Sequence, residues 1–127
     1  MPPINVLLVD GDARTLDALA FFLDITEDLH PIGRAVTGDE ALRLCASLQP
    51  DVVLTEMKFP ETDAAALIRE IHARHPNIGV VVLTRSLQNH NEEAIRAGAS
   101  AYLKKSATID QIADAIRSAV KAPHVDE

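Results

Sequence analysis

Four short polar clusters each follow an apolar run: Asp10-Gly11-Asp12, Thr55-Glu56, Thr84-Arg85-Ser86 and Lys104-Lys105-Ser106. Carboxylates, hydroxyls and a lysine together suit phosphoryl chemistry. Carboxylates hold Mg²⁺, a carboxylate at the end of a strand can attack phosphorus, and hydroxyl and ammonium groups meet the phosphoryl oxygens. Polar residues after an apolar run are common because loops face water, so none of these positions signifies alone. Their recurrence at one run end after another does, provided the fold brings those ends to a common edge.

The runs that must position them read as strands. Ile4 to Val9, Val52 to Leu54 and Ile78 to Leu83 are nearly unbroken in apolar and β-branched residues, the pattern of strands buried on both faces. Weaker strands are expected around Ile32 to Val36 and Ala101 to Leu103. Between the runs, apolar residues recur at helical spacing: Leu16, Leu19, Ala20, Leu23; Ala41, Leu44, Cys45, Leu48; Ala64, Leu67, Ile68, Ile71; and Ile109, Ile112, Ala113, Ile116. Thr37 with Glu40 and Thr108 with Gln111 read as capping boxes, and Asp63 can cap the third helix. A poorly amphipathic helix is expected from about Gln88 to Ala97, closed by Gly98. Strand and helix therefore alternate about five times, which demands parallel strands, right-handed crossovers and helices on both faces. In such α/β sheets the ligand site lies beyond the carboxyl ends of the strands, where the four polar clusters fall.

Composition narrows the class. The chain has 127 residues, 47% hydrophobic and 24% charged, enough for one domain with a core. We expect a single domain over 1–127, its core about 5–120, with 122–127 a tail or the start of a linker. A net charge of −7 argues against this domain itself gripping nucleic acid or an anionic membrane. The single cysteine excludes an internal disulfide. The opening residues lack the regions of a signal peptide and no run approaches a membrane span, so a cytoplasmic location is expected.

At the four clusters the chain resembles the receiver domains of two-component response regulators. The carrying segments are Val-Leu-Leu-Val-Asp-Gly-Asp, Pro-Asp-Val-Val-Leu-Thr-Glu-Met-Lys-Phe-Pro, Val-Val-Val-Leu-Thr-Arg-Ser and Ala-Gly-Ala-Ser-Ala-Tyr-Leu-Lys-Lys-Ser. The resemblance covers about Asn5 to Val120 and implies a flavodoxin-like doubly wound (βα)5 sheet of order 2-1-3-4-5. It also implies roles by position: Asp10 in the acidic pocket, Thr84 as the switch hydroxyl, Tyr102 as the switch aromatic and Lys105 as the phosphate-site lysine. The Tyr-Leu-Lys-Lys-Ser form is most similar to receivers attached to helix-turn-helix transcription regulators. Such a chain is expected not to be an enzyme in the ordinary sense.

The departures from the family carry as much information. Glu56 stands where the family has its phospho-acceptor aspartate, and Gly11 where it usually has a second acidic residue that ligates Mg²⁺. One added methylene displaces the carboxylate by about 1.5 Å, and misplacement on the order of 1 Å can cost about 10²-fold in rate. Weak or absent Mg²⁺ binding by Asp10, Asp12 and Glu56 is therefore expected, with Asp12 a partial substitute for the missing ligand. Arg85 stands where the family usually has a small residue. It either pairs with a carboxylate as a pocket cation in place of the metal or faces water as a loop arginine. Glu56 carries its charge farther from the backbone than aspartate would, and is expected to reach Lys105. Phe59 and Ala64 replace a methionine and a glycine often found in this loop, which bears on packing rather than chemistry.

The leading expectation is an atypical, phosphorylation-independent receiver acting through protein contacts, as a homodimer and within a transcription regulator. One rival is a competent acceptor loaded by a histidine kinase with Mg²⁺. Another is a doubly wound nucleotide-binding protein or hydrolase, disfavoured because no G-x-x-x-x-G-K or G-x-G-x-x-G follows the first strand. His72 and His75 have a possible ligand spacing but no third partner nearby in sequence. Cys45 lies on a core stripe and reads as a small buried hydrophobe. Phe21 and Phe22 are adjacent and cannot both aim at the sheet, so one is either an exposed contact or folded back over neighbouring aliphatics. Self-association is expected through the outer faces of the first and last helices.

Overall fold

The computed structural model describes residues 2–59 and 62–121, so the segment 122–127, read as a tail or linker, lies outside the described residues. Strands β1 (Ile4–Val9), β2 (Leu29–Ala35), β3 (Val52–Thr55), β6 (Gly79–Thr84) and β7 (Ala101–Lys104) form one parallel sheet in the order β2-β1-β3-β6-β7. Counting only these main strands, that is the flavodoxin-like order 2-1-3-4-5. Helices α1 (Ala13–Asp24), α2 (Gly38–Leu48), α3 (Ala64–Arg74), α4 (Asn91–Ala97) and α5 (Ile109–Ala119) connect and cover it. No helix among the described residues is long and apolar enough to cross a membrane.

Alternation along the buried strands divides the core into two layers. Val6, Leu8, Val52, Leu54, Val81 and Leu83 face α1 and α5, meeting Leu16, Leu23, Ile112 and Ile116. Leu7, Val9, Val53, Val80 and Val82 face the other way, onto Ala41 and Cys45 of α2, Leu67, Ile68 and Ile71 of α3, and Ala94 and Ala97 of α4. Side chains of a strand point to opposite faces in turn, so a doubly covered strand must be apolar throughout. At the start of β6, Gly79 lies so close to the end of α5 that an added Cβ would fall 2.1 Å from the Ala119 carbonyl oxygen.

Several boundaries differ from the sequence expectation. The second strand runs Leu29–Ala35, not Ile32 to Val36. It lies at the sheet edge, where Pro31 is tolerated because its missing N–H is not needed by a second neighbour. Its register slips between Val6↔Pro31 and Leu7↔Gly33, leaving Ile32 as the extra residue. The fourth helix is shorter than Gln88 to Ala97, beginning at Asn91, because the Gln88 carbonyl and the His90 N–H are bound to the Tyr102 hydroxyl instead. Gly98 closes it at φ 121°, a conformation that favours glycine. A two-strand hairpin, β4 (Lys58–Phe59) with β5 (Thr62–Asp63), was not anticipated, being too short for alternation to register.

The caps follow more closely. Thr108 and Gln111 form the reciprocal capping box of α5, and Asp63 accepts from the Ala66 N–H at 3.1 Å. Thr37 accepts from the Glu40 N–H at 3.1 Å, but the Glu40 carboxylate takes the Val36 N–H rather than that of Thr37.

Candidate functional site

Asp10, Glu56 and Lys105 each lie one residue beyond a strand, and their backbones continue the parallel ladder. The Asp10 N–H donates to Ala35 O at 3.0 Å, Glu56 N–H to Val9 O at 2.9 Å and Lys105 N–H to Thr84 O at 2.9 Å. Side chains at those positions are thus fixed at the carboxyl edge of the sheet, beside Thr84, the last residue of β6. Asp10, Glu56 and Thr84 are buried at 2%, 2% and 1% exposure, the only charged or polar residues besides Thr55 to be buried among the described residues. Asp12 comes to the same edge as the N-cap of α1, its Oδ1 accepting from the Arg14 N–H at 2.9 Å.

The buried carboxylates are held by a full set of donors. Asp10 Oδ1 accepts from the Asp12 N–H at 2.9 Å, and its Oδ2 from Lys105 Nζ at 2.6 Å. Glu56 Oε2 accepts from the Met57 N–H at 2.6 Å and the Lys58 N–H at 3.2 Å, while Oε1 accepts from the Arg85 N–H at 3.1 Å. Lys105 Nζ stands 3.7 Å from Glu56 Oε1, so the lysine bridges two acids with its short bond on Asp10. Glu56 thus reaches Lys105 as an ion pair at 3.7 Å, as expected, while its hydrogen bonds go to the backbone amides of Met57, Lys58 and Arg85.

Burial by itself would push the Glu56 carboxyl upward. The Thr84 hydroxyl and the N–H groups of Arg85, Lys58 and Met57 outweigh it and hold the group below the usual glutamate range. Thr84 also accepts from the Ser86 N–H at 3.0 Å, shaping the loop that carries Arg85.

Arg85 is not a free loop arginine. Its Nη1 donates to Asp12 Oδ2 at 3.1 Å and to Thr15 Oγ1 at 3.2 Å, its Nη2 stands 3.8 Å from Asp10 Oδ1, and its Nε stands 3.9 Å from Glu56 Oε1. The hydrogen bond to Asp12 is the main cause of a raised guanidinium pKa and, reciprocally, of a lowered Asp12 carboxyl. Thr15 was missed by sequence reasoning, though its place one turn after the cap puts it on the same side of α1 as Asp12.

Tyr102 sits farther along the same edge. Its hydroxyl accepts from the His90 N–H at 3.0 Å and donates to Gln88 O at 3.4 Å, while its ring packs against the core layer of α2, α3 and α4. Residues 85–90 are thereby tied at one end to Glu56 and at the other to Tyr102. The roles of Gln88 and His90 were not foreseen, because both bind through the backbone, which carries no sequence signal.

The donor set does not fit a divalent cation in this arrangement. Gly11 adds no carboxylate, and every oxygen of Asp10, Asp12 and Glu56 already has an N–H or ammonium partner within hydrogen-bond distance. Among the described residues no group of three or more His, Cys, Asp or Glu side chains is placed to hold a metal ion. Of the residues weighed outside the site, Cys45 is buried and its thiol is pushed up to about 11 by that burial. His72 lies beneath Gly98, and His75 ends α3. Phe21 and Phe22 are both exposed, at 63% and 38%, and their rings meet edge to face at 5.9 Å.

Comparison with known proteins agrees with the geometry. Residues 6–117 match the model of the response regulator receiver domain. The chain is 34% identical, over 96% of its length, to the uncharacterized transcriptional regulatory protein YvfU of Bacillus subtilis, and 35% identical, over 93%, to the transcriptional regulatory protein LiaR of the same organism. It spans 62% and 56% of those relatives' own lengths. In structure it is similar to the signal receiver domain of the response regulator NarL from Mycobacterium tuberculosis, with a TM-score of 0.87, 21% identity and coverage of 96% and 99% of the two chains. A receiver domain from Clostridium thermocellum gives a TM-score of 0.82 at 28% identity, covering 92% and 94%. With its polar strand ends gathered at one sheet edge and a family match over nearly its whole length, the chain belongs to the response regulator receiver domains of two-component systems.

Proposed function

We propose that this receiver works without phosphorylation and transmits its state through protein contacts. The observation that carries the reading is the state of Glu56. Its carboxylate is buried, both oxygens are occupied by backbone N–H groups, and the Lys105 and Arg85 cations stand within 4 Å of it. A nucleophile must present a lone pair in line with phosphorus, and an oxygen engaged by two amides in a site covered by a guanidinium is poorly placed to do so. The same carboxylate supplies a fixed negative charge beside Thr84 and Lys105, where the family's phosphoryl group would add one, and so biases the two-state equilibrium toward the active-like form. A carboxylate has one charge against nearly two on a phosphoryl group, so the bias is partial, about 1–2 kcal/mol.

The contacts we assign are a homodimer through the outer faces of α1 and α5, supported by the exposed Phe21, Phe22 and Ile25 on or beside α1. Arg117 on α5 is engaged within the chain. It makes bonds of 2.7 and 2.8 Å to Asp28 and 3.0 Å to Asp114, so any rim role is carried by the whole cluster. Because its curated relatives are transcriptional regulators and longer than this chain, we place the domain in a cytoplasmic transcription regulator. Nucleic-acid contact then belongs to another domain, consistent with the −7 charge here.

The test is intact-mass measurement after incubation with a small acyl phosphate and Mg²⁺, and separately with a phosphorylated histidine kinase domain. No phosphoryl adduct is expected. A stoichiometric adduct would establish a competent acceptor instead.

A further inference from the structure

Beside the amides and Lys105 that occupy the acidic edge stands one further cation supplied by the chain, Arg85. We propose that the Arg85 guanidinium is the resident cation of this site, and that it straps the loop after β6 to the start of α1. The inference rests on the reading of a site that functions without phosphoryl transfer, and extends it to what fills the site and what that filler excludes.

Three separate nitrogens of Arg85 face three separate carboxylates: Nη1 toward Asp12 at 3.1 Å, Nη2 toward Asp10 at 3.8 Å and Nε toward Glu56 at 3.9 Å. Only a planar, branched cation with donors on several edges can do this, and arginine's weak hydration lets it approach buried acids while its outer edge stays in water. The side chain is 52% exposed, consistent with a cap over the pocket mouth. Gly11 adds no charge where an additional carboxylate would favour a dication. The strap follows from the residue having two attachments. Its N–H holds Glu56, and its Nη1 holds both Asp12 and Thr15, which are the cap and first turn of α1. Mg²⁺ demands oxygen donors in near-octahedral array. The Arg85 guanidinium would have to leave before Asp12 Oδ2, which it bonds directly, became available, and its charge lies within 4 Å of Asp10 Oδ1 and Glu56 Oε1, so guanidinium and Mg²⁺ compete.

The experiment compares the wild type with Arg85→Ala and Arg85→Gln, titrating MgCl2 by thermal unfolding and by amide NMR, with Mn²⁺ broadening to locate the ion. Arg34→Ala, which removes an equal charge from the exposed pair with Asp17, is the control for net charge. The wild type and Arg34→Ala are expected to show no saturable shift at low-millimolar Mg²⁺. Both Arg85 variants should unfold at lower temperature without metal and regain stability with it, as a ligand that binds only the folded state requires. Their Mg²⁺ affinity should exceed the wild type's by about tenfold or more, with broadening centred on residues 10–12 and 56. Arg85→Gln keeps the length of the chain, so the comparison survives if Arg85→Ala unfolds. Equal Mg²⁺ affinity in wild type and both variants, or an equal gain in Arg34→Ala, would overturn the proposal. Phosphoryl incorporation into the wild type would instead defeat the reading it rests on, leaving the difference between Arg85 variants unchanged.

Discussion

Glu56 owes its ionisation to hydrogen bonds rather than to exposure, and that fixes how stability responds to acid. Its folded pKa lies below the ordinary value of 4.5, so its contribution is present at neutral pH and is lost as pH falls from that range through the lowered folded value. Glu56→Gln should therefore flatten the acid side of the stability profile in urea unfolding. At neutral pH it should cost about 1–3 kcal/mol, because an amide cannot accept from both the Met57 and Arg85 sides at once and leaves a buried donor unmet. An unchanged acid limb would show that Glu56 does not sense the fold. The identities of Asp10, Asp12, Glu56, Thr84 and Lys105 as one cluster were legible in the sequence, since each ends or follows an apolar run. The direction in which Glu56 turns was not, because its partners are the amides of Met57, Lys58 and Arg85, which any residue type would supply.

The elements that hold this edge in place make separate claims. Gly79 brings β6 against the end of α5 with no room for a side chain. Gly79→Ala must push Ala119 away or shift the strand that carries Thr84, and a loss of about 1–3 kcal/mol is expected, as for overpacking elsewhere in cores. Thr108→Ala removes one half of the α5 capping box and should cost about 1 kcal/mol with little effect at the acidic edge. Thermal unfolding of the two variants checks both, and a neutral Gly79→Ala would mean the packing there is loose. The central strands could be read from their composition alone because both faces are buried. β2 was misplaced because Pro31 and Gly33 dilute its pattern at an edge where neither is harmful. The early turn of α4 was misread as helix because its helical-looking residues are held by the Tyr102 hydroxyl, a partner twelve or more positions away.

At the scale of the whole molecule, a fixed charge is useful only if it reaches a surface that another protein reads. Phe21, Phe22 and Ile25 give α1 the apolar surface for self-association. Sedimentation should show a dimer that weakens in Phe21→Ala, Phe22→Ala and Arg117→Glu. A pure monomer at high concentration would remove the idea, and a dimer indifferent to all three would move the interface elsewhere. That α1 surface follows from the helical spacing, whereas the engagement of Arg117 by Asp28 depends on tertiary approach that spacing cannot convey. The path from the site to the rest of the fold runs from Glu56 through the Arg85 N–H and residues 85–90 to the Tyr102 hydroxyl. Glu56→Gln keeps the shape of the side chain and removes its charge, so NMR of the Tyr102 ring together with the dimer association constant reads whether that charge sets the state of the switch. If Glu56 stands in for a phosphoryl group, the Tyr102 environment shifts, the Gln88 and His90 contacts loosen and association weakens by about tenfold, the equivalent of about 1.4 kcal/mol; a variant with an unaltered Tyr102 ring and an unaltered association constant would show that Glu56 merely fills its pocket.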